Sequence, residues 1–560
     1  MTSQSVGAEI AEALARAHQD RAAGRWSEAA HRYRSVLQKI GPKAELFHNL
    51  ALCAMAMADH AQAELLSQRA LALNPSLWQS RLLQGKIQRE SDPTGERADN
   101  TFDALARWIT HSSHTMPATE ATTAQTLCAL ERAELHFNVF CDASGCLSLL
   151  NPAPTPSQHA ASDATPSGPE MPQNLQERLT LTQLIARLYD RQGRSDRDLR
   201  AEAADFIQGF VLPKDHLSPE PSEVKQKTSR RPAKAKSPQR VRIGILSPGL
   251  HAGPVYYLCY QTLRVLAADC SLVFFQRGSK SDWATEALRS MADEWIDASG
   301  LGATALALQI QQAQPTVVLE LGGWMDIDGL KALALCPEIP SIKWVGGQAM
   351  SVGLPHMIGY LSDPWQTPTE AHALYTEPLW EMPLGYVSYT PPPYWPGPSK
   401  KKRRGAWGII GNPLKIGADT LPLVMQAKAQ RAQHLRLIDR RYRSPRVKSR
   451  VEALLSPTGL PIEWVVPNNH QEFLAELSTL SDVIDTQPYS AGLTAREALS
   501  LGATLHTAGT SRLFSSCHGL AAVQQAAALT EAFGEAFGGR AQARVAEAIA
   551  DRIREACARI

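Results

Sequence analysis

A predicted strand, a turn of small residues and a predicted helix follow one another at residues 482–501. The small residues end the strand, and Thr494 then opens the helix. The first turn of a helix presents free backbone N–H groups and the positive end of the helix dipole, which together attract anions. Gly492 and Thr494 are therefore candidate ligands for a phosphate or diphosphate, and Glu497, one turn further on, is a candidate for sugar hydroxyls. Because strand–glycine–helix turns are also common structural features of α/β proteins, the motif alone does not establish binding.

The composition of the chain is that of a multidomain globular protein. Its 560 residues correspond to roughly three or four domains. The net charge of +2 gives no general attraction to nucleic acid or to membranes. The nine cysteines form no CxxC pair, so we expect neither a metal site nor a disulfide framework. The polar N-terminus lacks the features of a signal peptide, and no run approaches the length of a membrane span, so we expect a cytoplasmic protein.

An internal repeat occupies the first part of the chain. Small residues recur in steps of 34 at Ala17, Ala51 and Gly85. Small residues at such fixed points let the two helices of a hairpin pack closely, and a period of this length is typical of tetratricopeptide repeats. We therefore predict a tetratricopeptide-like helical repeat domain at residues 1–150, with a generic helical bundle as the plainer alternative. Stacked helical hairpins form a concave surface that suits the binding of a polypeptide.

Three segments connect the repeats to the rest of the chain. Residues 151–172 are rich in proline, serine and alanine, which predicts a disordered linker. Residues 173–212 return to helical periodicity and predict a helical connector. Residues 213–240 form a second, basic linker. Its positive charges could contact nucleic acid or an acidic partner, but no aromatic residues interleave with them, which favours a solvated tether.

From residue 241 onwards, predicted strands alternate with predicted helices. This pattern predicts two Rossmann-like domains, at 241–395 and 396–560, and thus an α + α/β fold class for the whole chain. The predicted strands lie at 241–248, 271–276, 294–299, 315–323, 341–347, 359–363, 406–412, 434–439, 462–466, 482–486 and 503–508. Ligands of such domains bind at the carboxyl ends of the strands, and a cleft between two of them suits a nucleotide-linked substrate.

Several short motifs in these two domains resemble those of one family. The stretch RIGILSPGLH ends at His251, ELGG occupies 320–323, KWVGGQAMSVG occupies 343–353, and NPLKI contains Lys415. Together with the strand–turn–helix described first, they resemble the O-linked N-acetylglucosamine transferase family. That family includes tetratricopeptide protein glycosyltransferases and bacterial N-glucosyltransferases of adhesins. The resemblance covers about residues 241–520 well, and the N-terminal repeats agree in kind.

The resemblance implies a function and a set of site residues. It implies an inverting, metal-independent glycosyltransferase of the GT-B type that needs no cofactor and uses a UDP-sugar as donor substrate. The sugar, a hexose or N-acetylhexosamine, would go to Ser or Thr of a polypeptide, with a flagellin or an adhesin as candidate acceptors. By the same resemblance, His251 lies at the active site, Lys415 binds the diphosphate and acts in catalysis, Thr494 binds the phosphates, Glu497 binds the ribose, and His518 lies near the nucleotide.

The physical chemistry of the reaction agrees with these roles. Departure of a nucleoside diphosphate develops negative charge, which a lysine, a hydroxyl and a helix N-terminus stabilise without a metal. Each residue also has a structural alternative: His251 as a turn histidine, Lys415 as a solvated loop lysine and His518 as an isolated histidine. Trp344 is favoured as a core residue over a sugar platform.

The chain also departs from the pattern of the family. Residues 323–325 read Gly-Trp-Met where the family often has Gly-His-Thr, and Leu493 replaces one of two adjacent threonines. Phe473 replaces the histidine thought to contact the base, with His470 nearby but out of register. These departures leave open the identity of the nucleotide and of the sugar. The alternatives are a non-catalytic scaffold with a degenerate cleft, an Asn-glucosylating transferase, and a transferase for a small molecule or polysaccharide.

Overall fold

A computed structural model describes most of the chain. The described residues are 3–151, 171–213, 240–347, 350–508 and 511–560. Apart from their end residues, the predicted linkers at 151–172 and 213–240 lie outside them. The chain divides into two compact units, of which the first comprises Met1–Ala186 with Arg443–Lys448 and the second Arg187–Tyr442 with Ser449–Ile560.

The first unit is built from antiparallel helical hairpins. Its helices are α1 (Ser3–Ala22), α2 (Trp26–Ile40), α3 (Ala44–Ala56), α4 (His60–Leu73), α5 (Trp78–Ser91), α6 (Glu96–Ser112), α7 (Ala118–Asn138), α8 (Ala143–Leu150) and α9 (Gln173–Arg187). The three small residues that recur in the sequence, Ala17, Ala51 and Gly85, are all buried, as close helix crossings require. A Cβ at Gly85 would lie 2.3 Å from the ring of Phe102 on α6. The predicted helical repeats are thus confirmed.

The second unit contains two parallel sheets with flanking helices. The strands are β1 (Arg242–Ser247), β2 (Ser271–Gln276), β3 (Glu294–Asp297), β4 (Val317–Glu320), β5 (Ser341–Lys343), β6 (Met357–Ser362), β7 (Leu379–Glu381), β8 (Arg403–Ile410), β9 (His434–Ile438), β10 (Ile462–Val465), β11 (Leu480–Ile484) and β12 (Thr504–His506). The remaining helices are α10 (Asp196–Phe206), α11 (Pro254–Ala267), α12 (Trp283–Arg289), α13 (Ala303–Ala313), α14 (Ile327–Ala334), α15 (Leu421–Ala429), α16 (Pro445–Leu455), α17 (His470–Ser478), α18 (Leu493–Ser500), α19 (His518–Phe533) and α20 (Gly539–Cys557). A π-helical turn, Ile207–Val211, follows α10.

Both sheets have the strand order of doubly wound α/β domains. The first sheet runs β3-β2-β1-β4-β5-β6-β7 and the second runs β10-β9-β8-β11-β12. Every neighbouring pair is parallel, so the carboxyl ends of the strands meet at one edge of each sheet. The chain order reverses direction between β1 and β4 in the first sheet and between β8 and β11 in the second, which is where such folds bind ligands. The predicted fold class is confirmed, and among the strands of the described residues only the short β7 was not predicted.

The C-terminal helix returns to the first sheet domain. The apolar face of α20 is buried at Val545, Ile549 and Ile553, which share one hydrophobic core with α11 and β1. The Oε1 atom of Gln542 also accepts a hydrogen bond of 2.6 Å from the backbone N–H of Tyr389. The last helix therefore completes the core of a domain that is formed mostly by residues far earlier in the chain. Within the described ranges, we find no helix with the length and apolarity that a membrane crossing would need.

Candidate active site

A buried carboxylate organises the turn that follows β11. The Oδ1 atom of Asp485 accepts hydrogen bonds of 2.8 Å from the backbone N–H groups of Thr486 and Ala491. Its Oδ2 atom accepts hydrogen bonds of 2.7 Å from the hydroxyls of Ser490 and Thr507. Burial raises the pKa of Asp485, and these four hydrogen bonds act in the opposite direction. The turn is thus folded around one side chain, which fixes the point at which α18 begins.

The first turn of α18 faces two other parts of the second sheet domain. The helix begins at Leu493, so Thr494 lies at its second position, where its N–H has no partner within the helix. Gly411, with φ +100°, follows β8, and a Cβ there would lie 3.6 Å from the Thr494 hydroxyl. A Cβ at Gly492 would lie 3.8 Å from the ring of His518, the first residue of α19. The structure therefore places Gly492, Thr494 and His518 in one neighbourhood, and their binding roles stay predictions.

Lys415 reaches the same turn from the neighbouring strand. It closes a short 3-10 turn, Pro413–Lys415, which follows β8. Because β8 and β11 are adjacent in the sheet, the loops at their carboxyl ends meet. The Lys415 ammonium donates a hydrogen bond of 3.0 Å to the Ser490 carbonyl and lies 4.4 Å from the centre of the Tyr489 ring. Lys415 is therefore held beside the helix start and is not a freely solvated loop lysine.

The charges around Lys415 tune its proton affinity. Burial lowers the pKa of Lys415 to about 8; the Asp485 carboxylate acts in the opposite direction, and the positive charge of Arg441 adds to the lowering. An amine with such a pKa carries a positive charge for most of the time at neutral pH. A half-buried cation beside a helix N-terminus is an arrangement that binds anions such as a diphosphate.

A chain of polar side chains connects α18 to the first sheet domain. The Oε1 atom of Glu497 lies 2.8 Å from Nε2 of His470, whose Nδ1 lies 3.0 Å from the Tyr394 hydroxyl. The Tyr394 hydroxyl lies 3.0 Å from that of Tyr257 on α11. Glu497 is only 1% exposed, and its Oε2 atom has no hydrogen-bond partner among the described residues. Burial of a carboxylate oxygen without a hydrogen-bond partner costs free energy, so a donor from outside the described residues would stabilise this oxygen.

A cavity lies beside this chain at the carboxyl ends of β9 and β10. Its volume is about 230 Å³. Its lining includes Asp439, Arg440, Arg441, Asn468, His470 and Phe473. The rings of His470 and Phe473 are nearly parallel, at 15°, with 6.0 Å between their centres. Phe473 and His470, at which the sequence departs from the pattern of the family, thus both line the cavity.

His251 lies at the predicted strand end but in the other domain. It follows β1 in the first sheet domain, and its Nδ1 atom lies 3.3 Å from the carbonyl oxygen of Ala252. The backbone N–H of Ala252 donates hydrogen bonds to both carboxylate oxygens of Asp282, at 3.0 and 3.1 Å. In the part of the chain that the structure describes, no hydrogen bond joins His251 to Lys415, and the catalytic role of His251 stays a prediction.

The side chains of Trp344 and Arg496 are both buried. Trp344 is fully buried and donates its Nε1–H to the Tyr386 carbonyl at 2.8 Å, which supports the core interpretation. Arg496, which sequence reasoning missed, is 1% exposed and donates a hydrogen bond of 3.1 Å to Gln525. The Gln525 amide in turn donates to the carbonyls of Leu384 and Val387, at 3.0 and 2.9 Å. The sequence does contain a signal for this buried, hydrogen-bonded arginine, because it stands among the small and apolar residues of TAREAL.

Comparisons with known proteins agree with the resemblance predicted from the motifs. No protein-family model matches the chain. The "Probable UDP-N-acetylglucosamine--peptide N-acetylglucosaminyltransferase SPINDLY" of Petunia hybrida is 26% identical over 295 residues, which cover 49% of this chain and 31% of that protein. The protein of the same name from Solanum lycopersicum is 25% identical over 292 residues, with the same coverage. The chain thus spans about a third of the length of the curated relatives it matches.

A solved structure matches nearly the whole chain. The structure of a mutant of Thermobaculum terrenum O-GlcNAc transferase aligns with a TM-score of 0.56 and 20% sequence identity, over 99% of this chain and 94% of that one. At this identity the likeness shows the fold, which is helical repeats followed by two Rossmann-like domains of the GT-B type. The chain therefore resembles the O-linked N-acetylglucosamine transferase-like proteins in sequence and in fold, as its motifs predicted.

Proposed function

We propose that the protein is a glycosyltransferase that moves a sugar from a sugar nucleotide to a polypeptide. The observation that supports this most directly is the group formed by Lys415, Thr494 and the N-terminus of α18. This group lies at the carboxyl edge of the second sheet, in the same domain as a cavity of about 230 Å³. A cation, a hydroxyl and free N–H groups suit a diphosphate, and the cavity suits a nucleoside.

The proposed reaction is a single displacement with inversion. An acceptor hydroxyl attacks the anomeric carbon, the bond between that carbon and the diphosphate oxygen breaks, and the acceptor proton passes to a base. The bonding electrons leave with the nucleoside diphosphate, whose negative charge grows in the transition state. The Lys415 ammonium and the start of α18 stabilise that charge, which is the largest effect that preorganised groups exert in such reactions. No metal or cofactor takes part in the proposed mechanism, and His251 is the candidate active-site histidine in the first sheet domain.

We assign the nucleoside to the cavity beside His470 and Phe473. A base can stack on an aromatic ring of the cavity lining, and the Oε2 atom of Glu497 would accept a hydrogen bond from a ribose hydroxyl. A UDP-linked hexose or N-acetylhexosamine is the proposed donor, as expected from the family resemblance. The names of the plant relatives, which specify a UDP-N-acetylglucosamine–peptide transferase, support this assignment.

The helical unit is the proposed binding site of the acceptor polypeptide. Its hairpins are of the repeat kind that forms concave, peptide-binding surfaces. Ser and Thr are the proposed acceptor residues, with Asn as the alternative. The candidate acceptors, a flagellin or an adhesin, and a cytoplasmic location remain part of this proposal.

The first experiment is a thermal-shift screen against UDP, GDP, TDP and CDP and their common sugar conjugates. A ligand at a hundredfold excess over its Kd should stabilise the native state by about 2.7 kcal/mol. A selective response to UDP or a UDP-sugar supports the proposal and defines the donor class. Transfer of a labelled sugar to a polypeptide by the wild type, lost in Lys415→Ala and kept in Lys39→Ala, would establish the activity. Lys39 serves as control because it is exposed on the helical unit.

A scaffold with a degenerate cleft is the second candidate. Leu493, where the family has a threonine, is half-buried and packs against the hydrophobic core of the first sheet domain. An apolar side chain at the helix start removes one hydroxyl donor from the proposed phosphate site. Binding of a nucleoside diphosphate does not separate the two candidates, since a relic cleft can keep it. Absence of transfer to every tested polypeptide, despite tight binding, would favour the scaffold.

A further inference from the structure

Two side chains contact the ring of Tyr489. The Lys415 ammonium lies over it, 4.4 Å from its centre. The ring of Tyr189 stacks on it, with 4.6 Å between the ring centres and 16° between their planes. Tyr189 belongs to the segment between α9 and α10, which lies outside both sheets. A residue of the helical connector thus contacts the side chain that supports the proposed diphosphate cation.

The same segment also touches the turn on which Lys415 lies. A Cβ at Gly417 would lie 3.5 Å from the backbone carbonyl oxygen of Tyr189. The N–H of Gly417 donates to the carbonyl of Gln487 at 3.2 Å. The backbone at Tyr189 is therefore packed where the loops after β8 and β11 meet.

A second set of contacts fixes the segment to the loop that precedes His518. The carboxylate of Asp196 accepts hydrogen bonds of 2.8 Å from the Ser511 hydroxyl and from the backbone N–H of Arg512. Arg191 pairs with Asp196 at 2.6 Å and also donates to the Ser511 hydroxyl. The residues from 511 to 517 lead directly into α19, which begins at His518. The connector is thus held at both sides of the proposed phosphate site.

We infer that the segment at residues 188–196 is a positioning element of the donor site, in which Tyr189 holds Tyr489 and thereby the ammonium of Lys415 in place. The inference rests on the proposed function. Tyr189 is a positioning residue and not a catalytic one, because it acts on the donor through Tyr489 and Lys415. Stacking restricts the Tyr489 ring, and a restricted ring leaves the ammonium fewer places to occupy when the diphosphate binds.

Tyr189→Ala tests the inference, with Tyr189→Phe as the variant that keeps the ring. Titration calorimetry with UDP should show about 3–10-fold weaker binding for Tyr189→Ala, the range that loss of one aromatic pair implies, and wild-type binding for Tyr189→Phe. The matched control is Trp295→Ala, which removes the stack of Trp295 on Phe274 (5.2 Å, 20°) at the edge of the first sheet. That control should leave the affinity for UDP unchanged even if it lowers the melting temperature.

A double-mutant cycle separates positioning from general destabilisation. In the Lys415→Met background, Tyr189→Ala should weaken UDP binding by less than twofold, because the cation that Tyr189 positions is gone. Additive effects of the two substitutions would overturn the inference, as would unchanged affinity in Tyr189→Ala. If Tyr189→Ala does not fold, Tyr189→Leu takes its place in the same cycle. Failure of the wild type to bind any nucleoside diphosphate would instead contradict the proposed function.

Discussion

At the scale of single residues, the pKa of Lys415 predicts how the affinity for a nucleoside diphosphate depends on pH. An ammonium is the protonated form, so Lys415 is charged below its pKa of about 8 and neutral above it. Affinity for a nucleoside diphosphate should therefore be full below that pH and fall as the pH rises through it. The limiting decline for one titrating group is about tenfold per pH unit. The measurement is the Kd of UDP by calorimetry between about pH 7 and about pH 9.5.

Lys415→Arg is the control for this pH dependence. A guanidinium stays protonated over the whole range, so the variant should bind UDP with an affinity that does not fall above about pH 8. The absolute affinity of the variant will differ, because the shape of the guanidinium differs from that of an ammonium. A decline in Lys415→Arg as steep as in the wild type would assign the titration to another group.

A second prediction at this scale concerns the buried carboxylate of Glu497. If its buried Oε2 atom accepts a hydrogen bond from the ribose, Glu497→Gln should reduce the preference for UDP over 2′-deoxy-UDP by about tenfold, because a hydrogen bond to a charged acceptor is lost. The two affinities are measured by calorimetry on each variant. Glu452→Gln, an exposed carboxylate on α16, is the matched control and should keep the wild-type preference. Equal preferences in wild type and Glu497→Gln would show that this carboxylate only holds His470.

At the scale of elements, the start of α19 packs directly on the turn that Asp485 organises. A Cβ at Gly519 would lie 2.2 Å from Oδ2 of Asp485, and the Gly519 N–H donates to the Ser490 hydroxyl at 2.7 Å. Gly519→Ala should therefore lower the free energy of unfolding by about 1–3 kcal/mol, as overpacking of a buried site does. It should also weaken UDP binding, because the turn that holds Ser490 must move.

Gly539→Ala is the matched control for Gly519→Ala. It lies in α20, and no atom would be within 4 Å of the added Cβ. Its free energy of unfolding should stay within about 0.5 kcal/mol of the wild type. Both variants are compared by urea denaturation and by UDP titration. A wild-type affinity in Gly519→Ala would show that the turn tolerates displacement.

The strands differ in how well the sequence alone predicts them. Runs such as SLVFFQ predict strands well because a buried parallel strand needs an unbroken apolar run, and β2 has the predicted bounds. β7 escaped prediction because it has only three residues, Leu379–Glu381. Its place in the sheet comes from pairing with β6, which no local pattern encodes.

The residues of the candidate site also differ in whether the sequence alone predicts them. Lys415, Gly492 and Thr494 were predictable because each lies in a short motif whose backbone geometry is local. The stack of Tyr189 on Tyr489 was not, since the two residues are 300 positions apart and Tyr189 belongs to no motif. The pairing of His470 with Glu497 was missed for a related reason: only the packing of α17 beside α18 brings the two side chains together.

At the scale of the whole molecule, the division into two units predicts which properties a destabilising substitution in the helical unit will change. Gly85→Ala would place a methyl group 2.3 Å from the Phe102 ring and should cost the helical unit about 1–3 kcal/mol. The residues assigned to the donor site all belong to the other unit, so the affinity for UDP should not change. Gly7→Ala, in α1 with no atom within 4 Å, is the control. Urea denaturation and UDP titration of the three proteins check both halves of this expectation.

The return of α20 to the first sheet domain has a consequence for recombining this chain with its relatives. Val545, Ile549 and Ile553 belong to the same core as Leu263 and Leu266 of α11. A graft that exchanges everything after residue 395 would therefore put the terminal helix of one parent onto the sheet of the other, and such a chimaera should lose its cooperative unfolding transition. A graft with cuts near 395 and 538 would exchange the second sheet domain and leave α20 with its own sheet. The first sheet domain is thus discontinuous in sequence, because the helix that completes its core follows the whole of the second sheet domain.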